Sequence, residues 1–213
     1  MNRIEIINLL ISKKGYQDYL EIGLREPSHC YDHIQAPLKA SVDPGLETSN
    51  NQARYPFTSD LFFELLEKGV LDKNSEHKWD LIFIDGLHTA DQVERDINNS
   101  LRHLTPQGCL VVHDSNPPSE HHARSNFYDH STPAQAGWNG SVWKAIYKIR
   151  ATRPDLEVHT VDCDWGCCII RRGEQELCAF DNPYYDYDKF DRNRKLHLNL
   201  ISEAEFLERL QGM

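Results

Sequence analysis

Two unbroken apolar runs constrain this chain most: LIFI (Leu81 to Ile84), followed at once by Asp85, and CLVV (Cys109 to Val112), followed by His113 and Asp114. A strand with one face in water alternates apolar and polar residues, whereas a continuous run suits a strand covered on both faces, as parallel strands are. Further runs of strand length, YLEIG, KASVD, LEVHTVD and CCIIR, alternate with helical patterns. The alternation predicts an α/β sandwich with a mostly parallel, doubly wound sheet. LEVHTVD and CCIIR, joined by a turn at Asp164, Trp165 and Gly166, read as an antiparallel C-terminal hairpin at the sheet edge.

Five helices are legible. One spans about Ala90 to His103, with Thr89 as N-cap, Gln92 as its capping-box partner, and Val93, Ile97, Leu101 and Leu104 on one face. The others lie in IEIINLLISKK, FTSDLFFELLEKG, SVWKAIYKIR and ISEAEFLERL, where Ser202 and Glu205 form a second capping box. Ser141 is placed to cap the helix that follows it, and Trp143 lies on that helix's apolar face. Residues 45–55 and 115–140 fit neither pattern. Because ligands bind beyond the carboxyl ends of parallel strands, 115–140 is expected to cover a substrate there.

The 213 residues are read as one domain, 1–213. With 33 acidic against 23 basic residues and a formal charge of -10, the chain is expected to repel nucleic acid and anionic membranes. No apolar run approaches the roughly 20 residues that span a bilayer, and the first residues lack an apolar signal core, so a cytoplasmic location is expected. The six cysteines form no CxxC pair and read as reduced, with Cys163, Cys167 and Cys168 as small apolar fillers in β-like runs. A small-molecule partner is expected, and a homo-oligomer is compatible with everything above.

The turn after the first strand, YLEIGLREPSHCYDHI, has only Gly23 where a dinucleotide site needs GxGxxG. Glu21 is the wrong charge beside phosphates and the right one beside a cation. Asp43 follows about 20 residues later, the distance at which an acid grips a ribose in such folds. Together these favour a cationic nucleoside without phosphates, such as S-adenosyl-L-methionine. The alternative is that both carboxylates merely end strands in water.

The blocks YLEIGLREPSHCYDHI, VDP, FTSDLFFELL, FIDGLHTADQVERDINNSL, LVVHDSNPP and WNGSVWKAIYKIR, in that order, resemble a bacterial family of class I S-adenosylmethionine-dependent methyltransferases, from about Tyr19 to the C-terminal helix. The resemblance implies a Rossmann-like sheet of seven strands with the first and fourth central. It implies cofactor contacts from Glu21, Gly23, Asp43, Ser59, Asp60 and Asp85. The chain departs from many such enzymes in carrying Pro27 where they have a glycine, so the amino-acid end of the cofactor is expected to sit differently.

Asp85 and Asp114 end neighbouring strands and so share one cleft. Methyl transfer is an in-line displacement that also removes a proton from the acceptor, and His88 is placed to take it. Lying before the N-terminus of the Ala90 helix, His88 is expected to stay neutral through the helix dipole, and Gly86 to allow the sharp exit that turns it inward. A subset of sugar and natural-product O-methyltransferases that look similar holds a divalent ion through the corresponding acids. Carried over, Asp85, His113 and Asp114 would bind magnesium or manganese, although an imidazole ligand weakens a magnesium site. A metal phosphohydrolase would need more spaced ligands than His88 adds. Asn116 and Trp138 are candidate substrate contacts; His121, His122 and His130 read as solvated loop residues. The expected function is methyl transfer to a hydroxyl of a sugar or small natural product, with Asp85, His88 and Asp114 as catalytic residues. An amine or peptide acceptor, or a non-catalytic binding protein of the same fold, is the alternative.

Overall fold

The structure, a computed structural model, describes residues 1–212. In chain order the elements are α1 (Arg3–Lys14), β1 (Asp18–Ile22), β2 (Leu38–Val42), α2 (Ser59–Glu67), β3 (Trp79–Ile84), α3 (Ala90–Arg102), β4 (Leu104–Val112), α4 (Val142–Thr152), β5 (Leu156–Val161), β6 (Cys167–Arg172), α5 (Tyr187–His197), β7 (Leu200–Ile201) and α6 (Glu203–Gly212). The seven strands form one sheet in the order β2-β1-β3-β4-β6-β5-β7, parallel except where β6 runs against β4 and β5.

The apolar runs do what their lack of alternation requires. Ile82, Ile84, Leu110 and Val112 enter a core beneath α2, α3, α4 and α5, while Leu81, Phe83, Cys109 and Val111 enter a second core beneath α1 and α6. Each residue of the two runs is therefore buried whichever way it points. Among the described residues, no helix is long and apolar enough to cross a membrane.

Three details of the sequence reading change. The strands that end in Glu21 and Asp85 territory, β1 and β3, pair with each other but lie to one side, and β4 is the middle strand. The near edge is thin because residues 45–55 contribute only a single bridge, Tyr55 to Val42. The β5–β6 hairpin is present but is not the edge: β6 lies between β4 and β5, and the two-residue β7 pairs with β5 outside it. Helix α5 had no apolar period to betray it; it is docked by Phe190, stacked at 4.2 Å on Trp143, and by the fully buried His197 against Tyr147, and it is capped by Asp186, which accepts from the Lys189 amide at 2.7 Å.

The capping box of Ser202 and Glu205 forms as its residues require. That of Thr89 and Gln92 does not. The Thr89 hydroxyl makes no cap bond. Instead the Ala90 amide donates to the hydroxyl of Ser141 at 2.8 Å, so the cap of α3 comes from a segment 51 residues away. Gln92 is drawn aside to Ser59 and Asp96, to which its amide nitrogen donates at 3.1 and 3.0 Å.

Candidate active site at the carboxyl ends of the sheet

Parallel strands place their carboxyl ends on one rim, and here the hydrogen-bond ladder runs one residue past each strand to fix that rim. Gly23 donates to Val42, Asp85 to Ile22 and His113 to Ile84, at 2.8 to 3.0 Å. The first residues beyond β1, β3 and β4 thus stand in a row. The glycine this arrangement needs is Gly23, not Gly86: Gly23 has φ 94°, and a Cβ there would lie 2.2 Å from the carbonyl oxygen of Asp85. Gly86 is outside the left-handed region and meets only ordinary contacts, so the turn into His88 does not depend on its freedom.

Two imidazoles and three carboxylates interleave above this rim. His113 Nδ1 lies 3.2 Å from Asp85 Oδ1 and 3.4 Å from Asp114 Oδ2. His88 Nδ1 lies 3.2 Å from Asp114 Oδ2, and its Nε2 3.4 Å from Asp85 Oδ1. Beyond His113, Asp164 accepts from Arg3 at 3.0 Å. Burial opposes ionisation of Asp85, but the charges and hydrogen bonds of His113 and His88 outweigh it and hold the carboxyl well below the usual range. Burial likewise disfavours the imidazolium of His88; the hydrogen bond it donates to Asp85 and the charge of Asp114 overcome it and raise the pKa. His113 is raised further, burial being outdone by Asp85 and Asp114. The expectation of a dipole-neutralised His88 is therefore overturned: a helix terminus contributes about 0.3–1 kcal/mol, less than two adjacent carboxylates within a buried cluster.

Four consecutive residues clamp this cluster from the far end of the 115–140 loop. Trp138 stacks on the His88 ring, centroids 5.1 Å apart, and its carbonyl faces His88 Nδ1 at 3.2 Å. Asn139, fully buried, donates to Asp114 Oδ1 at 2.9 Å. Gly140 adopts φ 61° against the His88 carbonyl, which a Cβ would meet at 2.1 Å. Ser141 donates its amide to that carbonyl at 2.8 Å while its hydroxyl caps α3. The sequence singled out Ser141 as a cap for the helix after it and Trp138 as a candidate substrate contact; the grip of these residues on His88 and Asp114 could not be read, because it joins segments 25 to 50 residues apart. The rest of the loop is wound around Arg124, whose guanidinium donates to the carbonyls of His121, Gly137 and Gln135 at 2.6 to 2.8 Å. His122, expected in solvent, accepts or donates at 2.9 Å to Ser119 and packs edge-on against Trp165.

The remaining candidates lie around this centre. Asp43 accepts from the amides of Arg25 and Gly45 at 2.8 and 2.6 Å, one on each oxygen, which ties the β1 turn to the end of β2. Glu21 is buried, accepts from the Tyr19 hydroxyl at 2.5 Å, and is pushed up to about 8 by burial. Ser59 and Asp60, in the first turn of α2, face α3 and accept from Gln92 and Arg95. Asn116 is drawn away from the cluster: its amide nitrogen donates to Asp162 and its oxygen accepts from Arg194. Pro27 opens a short 3₁₀ turn, Pro27–His29, where a helix after β1 would ordinarily begin. An open groove of about 330 Å³ lies next door, between α3 and α4, but its Lys148 and Glu94 neutralise each other at 2.8 Å.

Residues 18–115 match the family model described as a methyltransferase domain. That match spans less than half of the chain, and the seven-stranded sheet with its flanking helices is the Rossmann-like fold of known methyltransferases. The chain is similar to the S-adenosylhomocysteine-bound methyltransferase PaMTH1 of Podospora anserina, with 14% identity, 79% of this chain and 77% of that one covered, and a TM-score of 0.52. It is also similar to the O-methyltransferase of Bacillus cereus in complex with S-adenosylhomocysteine, with 13% identity, 78% of each chain covered and a TM-score of 0.51. At such identities the likeness speaks for the fold. No curated protein matches the sequence.

The residues present fit the groups that the resemblance implies. The β1 turn has no glycine-lined phosphate cradle, and Asp43 keeps lone pairs free on both oxygens for a ribose diol. Asp85, His113 and Asp114 each offer one donor atom, all within 4.8 Å of one another. One nitrogen with two carboxylate oxygens suits manganese, iron or zinc better than magnesium.

Proposed function

We propose that the protein transfers the methyl group of S-adenosylmethionine to a hydroxyl of a sugar or small natural product, with His88 as the general base. The observation that carries this reading is the placement of His88 between Asp114 at Nδ1 and Asp85 at Nε2, on the shared carboxyl ends of β3 and β4. When bound, the cofactor supplies an electrophilic methyl carbon. Nε2 of His88 receives the acceptor's proton, and the Asp114 carboxylate on Nδ1 orients the ring and stabilises the imidazolium that results. Asp43 holds the ribose. Because Glu21 is neutral and enclosed, the negative charge facing a sulfonium falls to Asp85, whose side chain remains a fifth exposed.

The single domain closes its acceptor site with residues 115–140, which place Trp138 directly on the base. Asp85, His113 and Asp114 would hold a divalent ion, and such an ion supplies a positive charge that orients and acidifies a hydroxyl. The unpaired state of all six cysteines suits a reducing, cytoplasmic setting.

The test is release of S-adenosylhomocysteine from matched acceptors, sugars and phenols bearing a free hydroxyl against their amino analogues, with and without chelator. Turnover confined to the hydroxyl series supports the reading. Turnover confined to the amines contradicts the acceptor class, and full activity in chelator contradicts the metal.

A further inference from the structure

Both ring nitrogens of His113 face acidic groups, but on opposite sides. Nδ1 looks toward Asp85 and Asp114; Nε2 looks toward the β5–β6 turn, where it lies 3.5 Å from Asp164 Oδ2. This second side has a composition of its own. A ring nitrogen of His113, a carboxylate oxygen of Asp164 and the sulfur of Cys167 lie within 4.8 Å of one another, and Nε2 is the nitrogen on the Asp164 side.

The backbone holds these donors in place. Cys167 opens β6, paired with Val161, and is fully buried. Asp164, Trp165 and Gly166 turn through three successive positive φ values of 43°, 63° and 93°. That turn is bolted to the chain after β4, for Ser115 and Asn116 donate to the carbonyls of Gly166 and Trp165 at 3.1 and 2.8 Å. The two elements that carry the donors therefore cannot drift apart.

A cation already reaches into this space. Arg3 Nη1 lies 3.0 Å from Asp164 Oδ2 and 3.5 Å from His113 Nε2. A guanidinium has only donors to offer, and its occupancy is imperfect: the Arg3 Nε is buried without a hydrogen-bond partner. An imidazole nitrogen, a carboxylate and a sulfur that converge here are, once deprotonated, a better match for a metal ion than for a planar fork. The half-buried thiol of Cys163 adjoins that of Cys167.

We propose that His113 Nε2, Asp164 and Cys167 bind a zinc-class divalent ion, displacing the Arg3 side chain, at the junction of β4 and the β5–β6 turn. Zinc accepts imidazole nitrogen, carboxylate oxygen and thiolate sulfur alike in tetrahedral sites. Binding releases the Cys167 thiol proton and the Nε2 proton of His113 to solvent, so that one carboxylate and one thiolate balance the two positive charges. The site is distinct from the Asp85, His113 and Asp114 set in using the opposite nitrogen of the ring and a sulfur ligand. Cys167 would then serve as a ligand as well as a filler of the second core, whereas Cys168, on the other face of β6, fills the first.

The experiment is a titration of the full-length, chelator-stripped, reduced protein with cobalt(II), without cofactor or acceptor, so that its outcome is independent of methyl transfer. One equivalent should bring up thiolate-to-cobalt charge-transfer absorption with the visible bands of tetrahedral coordination, and zinc should abolish both. Cys167→Ser should remove the charge-transfer band and Asp164→Asn should weaken binding, each with an unchanged circular dichroism spectrum. Arg3→Ala should tighten binding about tenfold by removing the competing cation. Absence of the band in the parent protein, its survival in Cys167→Ser, or its dependence on Asp85 but not Asp164 would overturn the assignment.

Discussion

His88 and Asp114 meet across two neighbouring strand ends, Nδ1 to Oδ2 at 3.2 Å, while Asn139 holds the other oxygen of the same carboxylate at 2.9 Å. Asp114 reaches this position with φ 56°, a left-handed conformation that an aspartate adopts at some cost and that the surrounding contacts must enforce. The carboxylate thus arrives already aimed, and it raises the proton affinity of the ring it faces.

That coupling predicts the acid limb of the activity profile. As the proposed base, His88 must be neutral to accept a proton; with its pKa raised above the ordinary 6.5, kcat/KM should climb with pH through a value above 6.5. Asp114→Asn removes a charge that favours imidazolium, so the limb should move to lower pH while kcat falls. A pH-rate series on both proteins checks this, and a limb that stays in place would separate Asp114 from His88.

Gly140 predicts a steric consequence. A Cβ there would lie 2.1 Å from the His88 carbonyl, on a residue already at positive φ. Gly140→Ala should destabilise the fold by about 2–4 kcal/mol and lower turnover by displacing His88. Urea denaturation should show a reduced midpoint with an unchanged m-value.

Ser141 predicts a more local one. Its hydroxyl accepts from the Ala90 amide, so Ser141→Ala should cost about 1 kcal/mol, the usual worth of a helix cap. Hydrogen exchange should quicken at Ala90 and leave the core of β4 protected.

The sequence made the strands legible because LIFI and CLVV carry their burial in their composition, and it made Asp85, His88, His113 and Asp114 legible because each closes or follows such a run. What it could not carry were contacts between distant segments. The α3 cap sits on Ser141 rather than Thr89, Asn139 secures Asp114, and Arg3 reaches Asp164 across 161 residues. Charge states failed for the same reason: reading His88 beside a helix terminus gave the wrong sign, since the deciding carboxylates lie on two other strand ends. Helix α5 escaped because its two buried residues are Phe190 and His197, and one apolar residue beside a histidine has no apolar period.

Glu21 predicts a pH dependence of stability. Burial raises its folded pKa to about 8 from an unfolded value of about 4.3, so the folded state keeps a proton that the unfolded state loses. Its contribution is fully present below about pH 4.3 and is lost as pH rises through about 8, at up to roughly 1.4 kcal/mol per pH unit. His88 and His113, also raised, act with the same sign at higher pH. Glu21→Gln preserves a neutral partner for the Tyr19 hydroxyl; the stability difference between parent and variant should therefore shrink steadily across that window. A difference that is flat with pH would show that Glu21 is ionised in the fold.

The central claim is that His88 moves the acceptor's proton and takes no part in holding the cofactor. Calorimetry with S-adenosylhomocysteine and turnover with a hydroxyl acceptor, both measured on parent and His88→Ala, test it most directly. Equal affinity with turnover lost in the variant is the predicted result. Unchanged turnover in the variant, or failure of the parent protein to bind the nucleoside, would contradict it.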